Sequence, residues 1–418
     1  MPETVIYHID VNSAFLSWDA VWRLEQDPTA PDIRTFPAVI GGDEQLRRGI
    51  VLAKSPAAKR YGIRTGEPLA AARRKCPTLK IYPPHFDLYV ERSARFLELL
   101  RRYAPSVEAY SIDEAFCDMT GTRLLYGDPA AFAHKLKSII FEELGFTVNI
   151  GVSGNRLLAK MASDFEKPDR VHTLFLNELP QKFWPLPIEE LFFVGRSSAK
   201  RLRSLGITTI GELAASDRSR IVSALKAHGD TLWHYANGIE AAPLTHSEPA
   251  NKGYGNSMTI PFDVTDEATA KRVLLSLCET VGARLRAAGA YISVVQVQIT
   301  DCEFHSTSRQ VTLASSTNIT ERIYTCVCEL FQATWDGTPI RLLGVYTSRA
   351  TLEQYEQYDL FESSRNEKLS RLNSAVDQIR CRYGEDSVKR ACFIEQPSDS
   401  REISHMTGGM SRAKRNRT

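Results

Sequence analysis

The feature that most constrains this chain is an acid in a strand that has no room for one. Residues 4–11, TVIYHIDV, are short, β-branched and apolar, as in a largely buried strand, yet Asp10 sits near the end of the run. Further on, YSIDEAF (Tyr110 to Phe116) sets Asp113 beside Glu114 among apolar and small residues. A buried, unpaired charge is costly, so such groups find a partner, a metal or water. Neighbouring side chains of a regular strand point to opposite faces. Asp113 and Glu114 can therefore share a site only at a turn, a strand end or a bulge. If that strand end pairs with the one carrying Asp10, three carboxylates converge. Hard oxygen donors of this kind suit Mg²⁺. Two such ions roughly 4 Å apart can activate a hydroxyl and steady a leaving pyrophosphate. On this reading no basic side chain is needed beside the acids. The bland alternative for the pair is a solvated hairpin turn.

The rest of the first 170 or so residues alternates strands and helices around this acidic centre, which fits an α+β or α/β catalytic domain. NSAFLSWDAVWRLEQ has helical spacing of apolar residues, FPAVIGG reads as a strand closed by glycine, and SPAAKRYGI as a short helix with Pro56 in its first turn. LYVERSARFLELLRRYAP is an amphipathic helix stopped by Pro105, residues 129–144 look helical, and FTVNIGVSG is a further strand. Residues 175–242 read as mostly helical and 243–250 as a polar linker. Residues 251–351 form a second α+β unit in which VVQVQIT alternates as a half-exposed strand. The polar, finally basic end has the composition of a disordered tail.

With 418 residues and 43% hydrophobic content, several domains could each bury a core. The net charge of +2 means that any nucleic-acid surface must come from local clustering. Eight scattered cysteines without a Cys-x-x-Cys pair argue against a zinc ribbon and for a reducing, cytoplasmic setting. The N-terminus runs straight into a strand, without the pattern of a signal peptide, and no apolar run is long enough to span a membrane.

SIDEAF, HIDVNSAF and NIGVSGNRLLAKMASDFEKPD occur in this chain in the order seen in the Y-family, or translesion, DNA polymerases, and the likeness extends over roughly residues 1–395. Some details look closer to the UmuC-like than to the DinB branch. The resemblance implies an α+β, multidomain right hand. Its palm would comprise 1–25 and 80–174, its fingers 26–79, its helical thumb 175–242 and its α+β little finger 251–351, with a clamp-binding motif and tail at 352–418. It implies Asp10, Asp113 and Glu114 as catalytic metal ligands for two Mg²⁺, helped by the Val11 carbonyl. Phe15 would be the steric gate, where a flat ring leaves a 2′-hydroxyl crowded and unpaired. Lys59 and Lys167 would neutralise the triphosphate. The expected partners are primer-template DNA, dNTP and, in a bacterium, the sliding clamp, with the enzyme acting as a monomer. There are departures: Asn12 stands where many members have a second aspartate, Ala14 where an aromatic is frequent, Pro56 where many have tyrosine, and Lys59 where many have arginine. Without the family match, Phe15 would read as helix core and either lysine as a solvated charge.

Two further segments bear on partners. ELFFVGRSSAKRLRSLGITTIGELA (190–214) looks like a helix-hairpin-helix, with Gly195 and Gly206 bracketing a short helix and Arg196, Lys200, Arg201 and Arg203 making a basic cluster for DNA backbone. QYDLF resembles the bacterial clamp-binding pentapeptide, with Gln357, Leu360 and Phe361 as its anchors. Gly41 to Glu44, GGDE, imitates the signature of diguanylate cyclases, but its context reads as a glycine turn with solvated acids. The main rival to a polymerase is a non-catalytic DNA-repair adaptor that binds DNA and clamp.

Overall fold

The structure, a computed structural model, describes residues 4–44, 47, 49–240, 251–352 and 363–394. Strand β1 (Ile6–Val11) is buried along its whole length. It is followed by α1 (Ala14–Gln26), β2 (Ala38–Gly41), β3 (Val51–Lys54), α2 (Pro56–Arg60), α3 (Leu69–Lys75), β4 (Lys80–Tyr82) and α4 (Phe86–Arg101). A hairpin of β5 (Ser106–Ala109) and β6 (Glu114–Asp118) comes next, then α5 (Arg123–Tyr126), α6 (Pro129–Leu144), β7 (Val148–Ser153), α7 (Arg156–Asp164) and β8 (Val171–Thr173). The principal sheet runs β5-β6-β1-β7-β8, so β1 is its centre. β1 is antiparallel to both neighbours, and the register sets Asp10 opposite Glu114 on one side and Asn149 on the other.

Helix α7 lies unusually close on this sheet. A Cβ on Gly151 of β7 would sit 1.9 Å from the Ala159 carbonyl oxygen and 2.5 Å from the Ser163 nitrogen. Only glycine leaves room for that approach. The face of α7 that carries Leu157, Leu158 and Met161 joins the buried core formed with Leu202, Ile207, Ile210, Leu213 and Leu232. Those residues belong to α8 (Arg196–Ser204), α9 (Ile210–Ala215), α10 (Arg218–Ala236) and the turn between the first two. A smaller sheet, β3-β2-β4, has β2 parallel to β4. Beside it Ser55 caps α2 by accepting from the Ala58 nitrogen at 3.0 Å, and Pro56 occupies the first turn.

The second half contains β9 (Gly255–Val264), α11 (Glu267–Ala287), β10 (Ile292–Asp301), β11 (Ser306–Thr317), α12 (Thr320–Gln332), β12 (Ile340–Ser348) and α13 (Ser363–Tyr383). Its antiparallel sheet is ordered β11-β10-β12-β9, and α11 and α12 share its hydrophobic core. β10 alternates buried and half-exposed residues over VVQVQI. Helix α13 and the segment after it are held to this unit by charge: Arg286 grips Asp377 of α13 at 2.5 Å, and Glu279 receives Arg380 of α13 at 2.6 Å and Arg390, beyond the helix, at 2.5 Å. Residues 363–394 are thereby tied to α11 of this unit.

The chain divides into two compact units. One comprises residues 1–40, 51–67 and 71–248, and the other 41–50, 68–70 and 249–418. Among the described residues no helix is long and apolar enough to cross a membrane.

Candidate active site

The acids of the opening motif lie where β6 begins. Tyr110 and Ser111 both donate backbone N–H to the Glu114 carbonyl, at 2.9 and 3.1 Å, and close the hairpin turn. Asp113 sits in that turn and Glu114 is the first strand residue, so adjacent acids escape the opposite-face rule. The Val11 nitrogen donates to the Asp113 carbonyl at 3.0 Å and ties the turn to the end of β1.

A cavity of about 470 Å³ opens here. Asp10, Val11, Phe15, Lys59, Asp113 and Lys167 all line it, together with Lys54 and Thr65. Six of the seven residues expected at the metal and nucleotide site thus share one pocket. Glu114 is the exception. Its carboxylate meets Lys160 Nζ at 2.6 Å, with His8 Nε2 3.3 Å away. Among the described residues no group of three or more acids, histidines or cysteines is arranged to hold a metal ion. The carboxylates instead have separate partners. Asp10 is bonded to Lys167, which also reaches Asp164 at 2.7 Å, and Asp113 accepts from Ser111 Oγ at 2.7 Å. The expectation that the acids need no basic neighbour is therefore corrected. Like charges at this spacing repel, and each has taken the nearest cation or donor.

The electrostatics follow. Burial, with help from Glu114 and Asp113, pushes the Asp10 carboxyl up to about 6 despite Lys167. Burial also raises Asp113, with Glu114 adding to it. Burial alone would raise Glu114 as well, but His8 and Lys160 outweigh it and hold that carboxyl at about 2. Burial lowers Lys54, and the neighbouring Lys59 adds to the effect. Asp10 and Asp113, two hard-oxygen donors lining the pocket, fit a divalent cation. Glu114 joins them only by turning from Lys160.

Phe15 is half-buried on α1 and stacks on Tyr89 of α4, with ring centroids 4.3 Å apart and planes within 9°. Tyr89 in turn donates its hydroxyl to the buried Asp19 at 2.5 Å. The ring's position is thus fixed from beneath. Tyr89, Asp19, Lys54, Lys160 and His8 are absent from the sequence expectations. His8 could have been found, because it precedes Asp10 by two and shares its face. Lys160 also carried a signal, as a lysine amid the apolar residues of α7.

The hairpin at 190–214 has Gly206 at φ 83, while Gly195 stands at φ −84 as the N-cap of α8. Arg196, Lys200 and Arg201 are exposed. Arg203 is engaged with Glu189 through two contacts of 2.6 and 2.9 Å. Gln357, Leu360 and Phe361 lie outside the described residues.

The raised Asp10 carboxyl carries a sign that can be checked. The folded protein binds this proton more tightly than the unfolded chain, so Asp10 lowers stability as pH rises from about 4 to about 6. In the absence of divalent metal, Asp10→Asn should be more stable than the parent at pH 7.5 by about 1–3 kcal/mol. The gain should vanish near pH 4. Urea unfolding measures it, and equal or lower stability of the variant at pH 7.5 would contradict the assignment.

Comparison with known proteins supplies the family. The model described as the impB/mucB/samB family matches residues 9–164, and that of its C-terminal domain matches residues 251–360. The DNA polymerase IV of Clostridium acetobutylicum is 43% identical over 392 residues, covering 94% of this chain and 98% of that one. That of Acetivibrio thermocellus is 35% identical over 396 residues, with 94% and 98% covered. The DNA polymerase IV 2 of Bacillus subtilis is 34% identical over 417 residues, with 98% and 99% covered. A solved Y-family DNA polymerase chimera superposes with a TM-score of 0.70 at 21% identity, covering 84% of this chain and all of that one, which speaks for the fold. The polymerase IV relatives set the chain with the DinB-like members. The chain belongs to the impB/mucB/samB family: it is a Y-family, DinB-like, template-directed translesion DNA polymerase that depends on divalent metal and acts on primer-template DNA and dNTPs.

Proposed function

We propose that the 470 Å³ pocket is the nucleotidyl-transfer site, in which the primer 3′-hydroxyl attacks the α-phosphate of a dNTP and pyrophosphate leaves. The observation that supports this reading is the meeting of Asp10, Asp113, Phe15, Lys59 and Lys167 in one cavity. Asp10, Asp113, Glu114 and the Val11 carbonyl would hold two Mg²⁺. Bound there, the ions would ease deprotonation of the hydroxyl and neutralise charge on the leaving group.

The chain's own residues do the rest. Lys167 gives up Asp10 and turns its ammonium to the triphosphate, where Lys54 and Lys59 add two further charges. Cations fixed in a partly buried pocket stabilise the charge that develops on the leaving phosphates. Glu114 swings from Lys160 towards Asp113. Phe15, backed by Tyr89, presents a flat apolar face to the sugar. An added 2′-hydroxyl would meet it without space or a hydrogen-bond partner. The palm, fingers, thumb and little finger keep the boundaries proposed from the sequence. Within the thumb, the exposed cations of α8 meet the DNA backbone. The QYDLF segment is proposed as the anchor on a sliding clamp, on its sequence alone, and the enzyme as a monomer.

Primer extension with Mg²⁺ tests the assignment. Asp113→Ala should lower kcat/KM by on the order of a thousandfold, the loss of roughly 4 kcal/mol of transition-state stabilisation. Undiminished extension would remove Asp113 from the site. DNA binding without any incorporation by the parent protein would instead favour the adaptor. Phe15→Ala should admit ribonucleotides, and unchanged sugar discrimination in single-nucleotide assays would remove the gate. Replacing Leu360 and Phe361 by Ala should abolish stimulation by the clamp and spare basal extension. Persisting stimulation would dismiss QYDLF as the anchor.

A further inference from the structure

Phe193 carries two unfavourable features at once. Its backbone lies at φ 71, in the left-handed region that bulky side chains avoid. The residue is 57% exposed. The turn it occupies asks for a positive φ at this position, its third, but not for a bulky side chain there. The turn is closed by the Val194 nitrogen donating to the Leu191 carbonyl at 2.9 Å, a bond that needs no ring at 193. A glycine would sit at 193 without strain. Yet the glycine of this segment is at 195, at φ −84, where any residue could stand and where an added Cβ would meet nothing within 4 Å. The freedom of Gly195 is thus of no use to the fold itself. It leaves the start of α8 bare for something outside.

The surroundings indicate what that is. The Phe193 ring leans on Phe192, with centroids 4.3 Å apart, and lies 6.0 Å from Tyr235. Phe192 reaches Tyr110 of the catalytic hairpin at 6.5 Å. Phe193 is therefore the outer member of an aromatic group that begins beside Asp113 and Glu114. On its other side it adjoins the first turn of α8, where Arg196 and Lys200, spaced by four, lie on one face and are exposed. An exposed apolar ring beside cations and a bare helix start suits a polyanion with apolar faces between its charges. Duplex DNA is such a surface, with deoxyribose between phosphates.

We propose that Phe193 is a DNA-contact residue whose ring packs on the deoxyribose face of the duplex backbone, beside the phosphate met by the start of α8. This rests on the reading of 190–214 as a DNA-binding hairpin. Bases within a duplex are paired and stacked, so the sugar is the apolar face available to a ring on this turn. Backbone strain kept at a binding residue costs stability that a relaxed substitute recovers.

Fluorescence anisotropy on labelled primer-template, with thermal unfolding of the same variants, tests this. Phe193→Gly should unfold at the same or a higher temperature than the parent, yet bind duplex about five- to twentyfold more weakly. Its salt dependence should be unchanged, because no phosphate contact is lost. Phe193→Tyr, which keeps the ring, should bind like the parent. Arg196→Ala should weaken binding and reduce the salt slope by about 1. If Arg196→Ala changes neither affinity nor slope, the hairpin reading itself fails. If it acts as expected while Phe193→Gly binds duplex like the parent, the Phe193 contact alone is overturned. Loss confined to single-stranded overhangs, with blunt duplex unaffected, would also overturn it, in favour of base stacking.

Discussion

Repulsion among three carboxylates at the ends of two paired strands is the constraint around which the first unit is organised. Asp10 and Glu114 face each other across β1 and β6, and Asp113 is the next residue in the turn. In the absence of metal the protein supplies the counter-charge from a single helix and the loop after it. Lys160 of α7 takes Glu114, and Lys167, just beyond α7, takes Asp10. That is possible because α7 lies close on the sheet, an approach that Gly151 permits. The same helix buries its apolar face in the core of the helical region. One element therefore sets the charge balance of the acids and the packing of the segment that carries the hairpin at 190–214.

The Phe15 side of the pocket rests on a different principle. Phe15 needs a fixed position more than a charge, and it receives one from a chain of contacts through Tyr89 to Asp19, which is wholly buried. Asp19 also lies 3.0 Å from His85 Nδ1 and 3.4 Å from Arg23, so its own burial is compensated. Polar groups inside a core are tolerable when each is satisfied, and they then hold their neighbours in place.

Much of this was legible in the sequence, and what was not has physical reasons. The buried strand ending in Asp10, the hairpin acids and helices such as Pro129–Leu144 follow from local pattern, which depends only on near neighbours in the chain. Val11, Phe15, Lys59 and Lys167 are legible only through family motifs, and the structure brings them to one cavity with Asp10 and Asp113. The partners of the acids were missed because an ion pair between residues 114 and 160 leaves no periodic trace. Tyr89 was missed for the same reason, since its stack on Phe15 joins two helices far apart in sequence. Gly195 and Gly206 bracket α8 as the sequence suggests, and Gly206 takes the left-handed conformation at φ 83. Phe193 adopts that conformation too, and no propensity would have put it there. The expectation of acids without basic neighbours considered the metal-bound state alone and left out how the chain folds without it.

The central claim is that Lys167 and Lys160 neutralise the acids until divalent cations and nucleotide arrive. A crystal structure with Mg²⁺, primer-template and an unreactive dNTP analogue tests it most directly. The account predicts Asp10, Asp113 and Glu114 oxygens at about 2.0–2.1 Å from Mg²⁺, with Lys167 moved from Asp10 onto the triphosphate and Glu114 released from Lys160. Mg²⁺ bound elsewhere, with Lys167 still paired to Asp10, would contradict it.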